Sequence, residues 1–166
     1  MLQALAFKNA GGEMLEVERE ILKALIQQSP HVEFSEYGEG CSESWIIKAE
    51  NYLGYELPDS YKWWLKNFGG GEVGFGNEIY SIYGIAFETV LGGDIVSNAI
   101  SNKKNLGLEP SEKLYLYEGG HHQAYFDIKK GMKDGEYEVI ENSDGRIIVH
   151  KNFCRFLSGF IESHAG

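Results

Sequence analysis

The chain has 166 residues, of which 43% are hydrophobic and 13% are aromatic. This length suits a single domain with its own core, and the apolar content excludes a disordered chain. The formal net charge of −10 opposes nonspecific binding to nucleic acids or anionic membranes and favours basic partners. Two cysteines, Cys41 and Cys154, are too few for a disulfide framework and suit a reducing, cytoplasmic setting.

The N-terminal residues lack the features of a signal peptide. A short apolar patch lies within residues 1–13, but no basic residue precedes it and no apolar run of adequate length follows. No run reaches the roughly eighteen apolar residues of a membrane span. We expect residues 1–13 to be a poorly ordered leader and residues 14–166 to form one domain, whose first helix runs from Glu16 to Gln28 and stops before Pro30.

The next segment, HVEFSEYGEG, is acidic, aromatic and glycine-containing, which predicts a loop. Residues 33–59 carry a net charge of −6. The segment and the residues after it alternate acidic with aromatic side chains: Glu33, Phe34, Glu36, Tyr37, Glu39 and Glu43. Such a loop is either a solvated surface or a protein interface, in which carboxylates accelerate encounter and aromatic rings anchor the partner.

Two helices follow. Ser42 is a good N-cap for the first, and Gly54 ends it. Pro58 opens the second because its fixed φ is already helical, and the three glycines at 69–71 end it. Tyr61, Trp64, Leu65 and Phe68 fall on one face of this second helix, which we expect to be buried.

A strand from Ile79 to Ile85 and a helix over Asp94–Asn105 are predicted next. The pattern from Ser42 to Ile85 combines Glu50, LGYELPDSY, an aromatic helix, GGG and IYSIYGI, and it resembles the SUKH superfamily. Bacterial members of that superfamily are mostly immunity proteins that neutralise polymorphic toxins, and fungal relatives regulate cell-wall synthesis. The resemblance therefore implies a scaffold for binding a protein.

The rest of the chain is predicted to be rich in strands. Four segments, separated by glycine-containing turns, have strand composition: Lys113–Gly119, Gln123–Ile128, Glu136–Asn142 and Arg146–His150. An apolar stripe from Phe153 to Ile161 predicts a closing helix. This order indicates an α+β, SUKH-like fold with an antiparallel or mixed sheet of about five or six strands and flanking helices.

The sequence predicts no catalytic, cofactor or metal site. The run GGGEVGFG lacks the lysine of a phosphate-binding loop and follows a helix instead of preceding one. His121 and His122 would point to opposite faces of a strand, and Cys154 lies among apolar residues as a buried thiol would. A small metal-dependent hydrolase that uses His121 or His122 with Asp127 is the least favoured hypothesis.

The favoured hypothesis is a noncatalytic immunity protein that binds the C-terminal domain of a cognate toxin, which we expect to be basic and plausibly a nuclease. The alternative is an intracellular interaction or regulatory module without a toxin partner. We expect a cytoplasmic monomer that binds neither nucleic acid nor membrane. The predicted partner-binding residues are those of the acidic loop and of the glycine turn: Glu33, Phe34, Glu36, Tyr37, Glu39, Glu43, Glu72, Glu78 and Tyr80.

Overall fold

The computed structural model describes residues 2–84, 86–88 and 92–165, and side chains from Leu15 onward. These residues form five helices and seven strands. The helices are α1 (Leu2–Gln28), α2 (Glu43–Leu53), α3 (Asp59–Asn67), α4 (Ile95–Leu106) and α5 (Phe153–His164). The strands are β1 (Val32–Phe34), β2 (Gly71–Val73), β3 (Asn77–Ile79), β4 (Lys113–Gly119), β5 (His122–Asp127), β6 (Val139–Ser143) and β7 (Arg146–His150).

The α+β class is confirmed, and the described strands form two antiparallel sheets. The first has the order β1-β2-β3 and the second the order β4-β5-β6-β7. The Tyr80 backbone N–H, one residue past β3, donates to the carbonyl of Leu116 in β4 at 2.8 Å. This bond links the end of β3 to β4. The described residues thus form a pair of sheets with seven strands, where one sheet of about five or six strands was predicted.

The predicted signals at the ends of α2 are confirmed. The Ser42 hydroxyl accepts a hydrogen bond from the Trp45 N–H at 3.4 Å. Gly54 ends the helix with φ of 87°, a left-handed conformation that glycine adopts without strain. The carboxylate of Glu50 then accepts the N–H of Leu57 at 2.7 Å. Glu50 of the family-like pattern therefore stabilises the turn between α2 and α3.

The start of α3 is capped by a distant part of the chain. Pro58 occupies the N-cap position and makes no side-chain cap. The Asp59 N–H donates to the carbonyl of Gly135 at 2.9 Å, and the Ser60 N–H donates to both carboxylate oxygens of Glu136 at 3.1 and 3.2 Å. The loop before β6 thus satisfies N–H groups that a helix leaves free at its first turn.

The four apolar residues predicted to share one face of α3 are all buried, as expected: Tyr61, Trp64, Leu65 and Phe68. The Tyr61 hydroxyl donates to the carbonyl of Tyr80 at 2.7 Å, and its ring contacts those of Phe126 and Phe153 with centroids 5.1 Å apart. Helix α3 therefore packs between the sheets and the closing helix α5, whose predicted apolar stripe is buried as well.

Several element boundaries differ from the sequence predictions, chiefly those of α1, β1 and β3, and β6 begins at Val139 instead of Glu136. Helix α1 begins at Leu2 instead of Glu16, so the backbone of residues 2–13, assigned to a leader, continues this helix. The predicted acidic loop starts with strand β1, because residues 32–34 pair with β2. Strand β3 ends at Ile79, where a strand to Ile85 was predicted; residue 85 itself lies outside the described residues.

Both cysteines are free and buried. Burial raises the pKa of the Cys154 thiol to about 12, which makes it a poor nucleophile at neutral pH. Among the described residues, no helix is both long enough and apolar enough to cross a membrane.

Candidate partner-binding surface

Three glutamates lie side by side across the three-stranded sheet. Glu33 of β1 is directly opposite Glu72 of β2, and Glu72 is directly opposite Glu78 of β3. Directly opposed residues project to the same face of a sheet. We call Glu33, Glu72 and Glu78 the acidic row. The structure therefore brings together three of the residues predicted for partner binding, although the chain separates Glu33 from Glu78 by 45 positions.

The acidic row points away from the core. Its neighbours along the strands, Val73 and Ile79, are fully buried, whereas Glu33 and Glu72 are exposed. Successive residues of a strand point to opposite faces, so buried and acidic positions alternate. Phe34 follows the same rule: its ring packs edge-on against Trp64 with centroids 5.2 Å apart. Phe34 was predicted to contact a partner, but it lies on the core face because of its register.

The acidic row is electrostatically unfavourable in the free protein. Directly opposed residues have Cβ atoms about 4.5–5.5 Å apart, a distance at which like charges destabilise a sheet. None of the ion pairs formed by the described side chains includes Glu33, Glu72 or Glu78. Burial raises the pKa of Glu78, and the charge of Glu72 raises it further, while a hydrogen bond from the Gly93 N–H opposes the shift. A cationic group from outside would relieve this repulsion.

The acidic loop, residues 35–41, is fastened to the end of α3. The backbone N–H groups of Ser35, Gly38, Gly40 and Cys41 donate to the carbonyls of residues 68, 67, 66 and 65, at 2.7 to 3.0 Å. These are carbonyls that the end of a helix leaves without partners. The approach is so close that a Cβ on Gly40 would stand 2.0 Å from the Leu65 oxygen. The loop backbone is therefore fixed, and its side chains are displayed from a rigid frame.

The remaining predicted residues of the loop, and Glu43 at the start of α2, lie at the surface. Glu36 and Glu39 are exposed. Tyr37 is about half exposed; its ring contacts Phe68, and the Lys23 ammonium lies 3.9 Å from its centroid. Glu43 forms an exposed ion pair with Lys66 at 3.3 Å. Glu36 and Glu39 thus extend the negative surface, whereas Tyr37 and Glu43 already have partners within the protein.

Tyr80 does not provide the exposed ring that the sequence suggested. Its side chain is only 9% exposed, and its hydroxyl lies 3.5 Å from a carboxylate oxygen of Glu118. Burial and the charge of Glu118 raise the pKa of Tyr80. Tyr80 follows β3 at the point where the two sheets join, so its ring is enclosed there and is not available as a surface anchor.

The aromatic side chain that is available was not among the predicted residues. Phe75 is 90% exposed, the largest fraction of any bulky apolar side chain in the described part of the chain. It stands at the tip of the β2–β3 hairpin, between Gly74 and Gly76. The sequence GFG could have indicated an exposed ring, because the two glycines that flank the phenylalanine have no side chains to cover it.

The histidines do not form the constellation proposed for a hydrolase. His122 and Asp127 are the two ends of β5, and five residues of extended chain span roughly 17 Å. His122 instead contacts Glu141 at 2.5 Å, and His150 contacts the other oxygen of Glu141 at 2.7 Å. These two bonds lower the pKa of Glu141 against the effect of burial. No group of three or more histidine, cysteine or acidic side chains suited to a metal ion occurs among the described residues.

Comparison with known protein families gives one match that covers most of the chain. The model of the SMI1 / KNR4 family (SUKH-1) matches residues 40–159. The matched segment includes α2, α3, all of β2 to β7 and the first half of α5. Strand β1 and the acidic loop up to Glu39 precede it, so part of the acidic surface lies outside the matched region.

Proposed function

Because this chain belongs to the SMI1 / KNR4 family (SUKH-1), we propose that it is a noncatalytic immunity protein that binds and neutralises a cognate toxin domain. Family membership supports a role like that of an immunity protein or of the SMI1/KNR4 proteins. The toxin partner is the more specific proposal, and it depends on the chemistry of the surface described above.

The acidic row is the observation that carries this proposal. Glu33, Glu72 and Glu78 repel one another in the free protein, and no described cation pairs with them. Natural proteins tolerate such local costs where function needs them. A basic partner would convert the repulsion into attraction and would be steered to this face by the net charge of −10.

The chemistry of the surface suggests a toxin that acts on nucleic acid. The surface with which a nuclease binds a phosphate backbone carries cationic side chains, and a row of carboxylates can occupy such a surface. We propose that the protein acts as a cytoplasmic monomer and blocks the toxin without chemical change to it. The same negative surface disfavours direct binding to nucleic acid or to an anionic membrane.

The test uses a candidate toxin domain, chosen from the genes that neighbour this protein's gene. Purified full-length chain is mixed with that domain, and association and dissociation rates are measured over a range of salt concentrations. Two charge-neutralising variants, Glu72→Gln and Glu78→Gln, are compared with Glu162→Gln, which removes the same charge from an exposed position on α5. Growth of cells that express the toxin together with each variant gives the functional readout.

We expect tight 1:1 binding, protection of the cells, and an association rate that falls with added salt. Glu72→Gln and Glu78→Gln should each associate several-fold more slowly than Glu162→Gln at low salt, because charges at the edge of an interface act mainly on the association rate. Absence of binding by the unmodified chain would contradict the proposal and favour a regulatory module with other partners.

A further inference from the structure

We propose that Phe75 is the apolar anchor of this interface and enters a pocket on the basic toxin domain. The inference rests on the proposed function, because it assigns a residue to the same binding surface. Interfaces draw most of their affinity from a few desolvated side chains, and aromatic rings are prominent among them. Phe34 is partly buried against Trp64, Tyr80 is buried, and Tyr37 already packs against Phe68 and Lys23, so Phe75 is the bulky ring near the acidic row that is left to make such a contact.

The hairpin tip that carries Phe75 is held by three hydrogen bonds. The Gly74 N–H donates to the carbonyl of His31 at 2.7 Å. The amide of Asn77 donates to the Val73 carbonyl at 3.0 Å, and its own oxygen accepts the Tyr117 hydroxyl at 2.9 Å. The tip is thus tied to the residue before β1 and to Tyr117 of β4, and the ring is displayed from a backbone held at both of these points.

The turn also depends on its two glycines. Gly74 and Gly76 have φ of 67° and 79°, conformations that other residues adopt only with strain. A Cβ on Gly74 would lie 2.6 Å from the carbonyl oxygen of His164, at the end of α5. Because the turn is already fixed in the free protein, little conformational entropy is lost when a partner binds it, which favours affinity.

Phe75 contributes little to the core. Among the described side chains its ring contacts only that of His31, at a centroid distance of 5.5 Å, and His31 is itself exposed. Burying a phenylalanine side chain is favourable, and this protein leaves nearly all of that gain unused in the free state. A partner that covers the ring would gain it.

The position of Phe75 relative to the acidic row indicates which class of partner binds this surface. Glu72 and Glu78 are each three residues from Phe75 along the chain, which separates their Cα atoms from that of Phe75 by at most about 10 Å. A second copy of this chain would bring two acidic rows together, and a nucleic acid would bring phosphates to them; both are disfavoured by repulsion. A basic protein domain with an apolar pocket next to its cationic site fits both features.

The experiment distinguishes the effect of Phe75 from that of the glutamates, because the first should change the dissociation rate and the second the association rate. Phe75→Ala is compared with Ile147→Ala, a truncation of another exposed apolar side chain on β7 at the edge of the second sheet. Both are measured against the neighbouring-gene toxin domain by the same rate measurements. Thermal unfolding is recorded for each variant, because a loss of fold would otherwise imitate a loss of binding.

We expect Phe75→Ala to dissociate at least about tenfold faster with an association rate close to that of the parent chain, since anchors act on dissociation. Ile147→Ala should leave both rates unchanged. An unchanged dissociation rate for Phe75→Ala, together with slower association of the glutamate variants, would overturn this inference and leave the proposed function standing. Equal losses in the two alanine variants would also overturn it, and failure of the parent chain to bind would overturn both.

Discussion

Glu72 of β2 lies directly opposite Glu78 of β3, so that two carboxylates face each other on one side of a short sheet. Replacing Glu72 by glutamine removes the central charge and both repulsive pairs of the acidic row. We expect Glu72→Gln to stabilise the protein by about 0.5 kcal/mol at neutral pH and low salt. Chemical unfolding gives the change in free energy.

Added salt should diminish this gain, because exposed charges are screened. Glu162→Gln, with no opposed carboxylate, should change the stability by less. If both glutamine variants have the same stability, repulsion within the acidic row does not measurably destabilise the protein. A variant that is more stable and yet slower to bind the toxin domain would be the signature expected of a functional site.

Glu136 should make the stability depend on pH. Burial raises its pKa from 4.5 to about 7, although the Ser60 N–H favours the carboxylate. Below pH 4.5 the group is protonated in both the folded and the unfolded chain, so its ionisation does not make the free energy of unfolding depend on pH. Between pH 4.5 and 7 the unfolded chain ionises first, so stability falls as pH rises, by about 3 kcal/mol in all. Unfolding measured from pH 4.5 to 8 should show this decline.

Glu136→Gln keeps an oxygen for the Ser60 N–H and cannot ionise. We expect it to flatten the decline between pH 4.5 and 7. The matched variant Glu138→Gln changes a carboxylate two positions away, whose ion pair with Lys130 is partly exposed, and should leave the decline in place. If stability declines equally in Glu136→Gln, other ionisable groups must cause the decline.

Gly40→Ala should destabilise the protein strongly. Its new methyl group would meet the Leu65 oxygen at 2.0 Å, a distance that only movement of the backbone can relieve. That movement would separate the loop from the end of α3, and we expect a loss of at least about 2 kcal/mol. Gly159→Ala, within α5 and with open space around its Cα, should instead stabilise the protein by about 0.5–1 kcal/mol. Thermal unfolding of both variants provides the comparison.

Glu50→Ala should expose the role of the carboxylate that accepts the Leu57 N–H. Leu57 is fully buried, and its N–H would lose its acceptor, at a cost of about 1–3 kcal/mol. Glu50→Gln retains an oxygen at that position and loses only the ion pair with Lys62. We therefore expect the glutamine variant to unfold much closer to the parent chain. Similar losses in the two variants would mean that charge, and not the hydrogen bond, matters at this turn.

The sequence was sufficient wherever a signal is local. Ser42 caps α2, Gly54 ends it, and strands β4 and β7 have the predicted bounds, because caps, turns and alternation involve neighbouring residues. The start of α1 was missed since Gly11 and Gly12 argue against a helix locally. The cap of α3 could not be predicted from the sequence either, because Glu136 is 76 positions from Ser60 along the chain.

The candidate site was predictable in composition but not in arrangement. Glutamates 33, 72 and 78 were selected for their charge, and only the strand register places them in one row. Register also placed Phe34 on the core face, since a shift of one residue exchanges the two faces of a strand, whereas Tyr80 is covered where the two sheets join. Phe75 could have been identified from its flanking glycines, but not its fixed orientation, which depends on Tyr117 in another sheet.

The attachment of residues 35–41 to the end of α3 limits how this protein could be redesigned for another partner. Four consecutive carbonyls of that helix are matched to loop N–H groups, so inserting or deleting one residue would leave carbonyls unmatched. A library that varies Glu36, Glu39 and Phe75 at constant chain length would preserve every one of these bonds. New specificity should then come from exchange of side chains on an unaltered backbone, with the hairpin and the loop serving as two independent sites of variation.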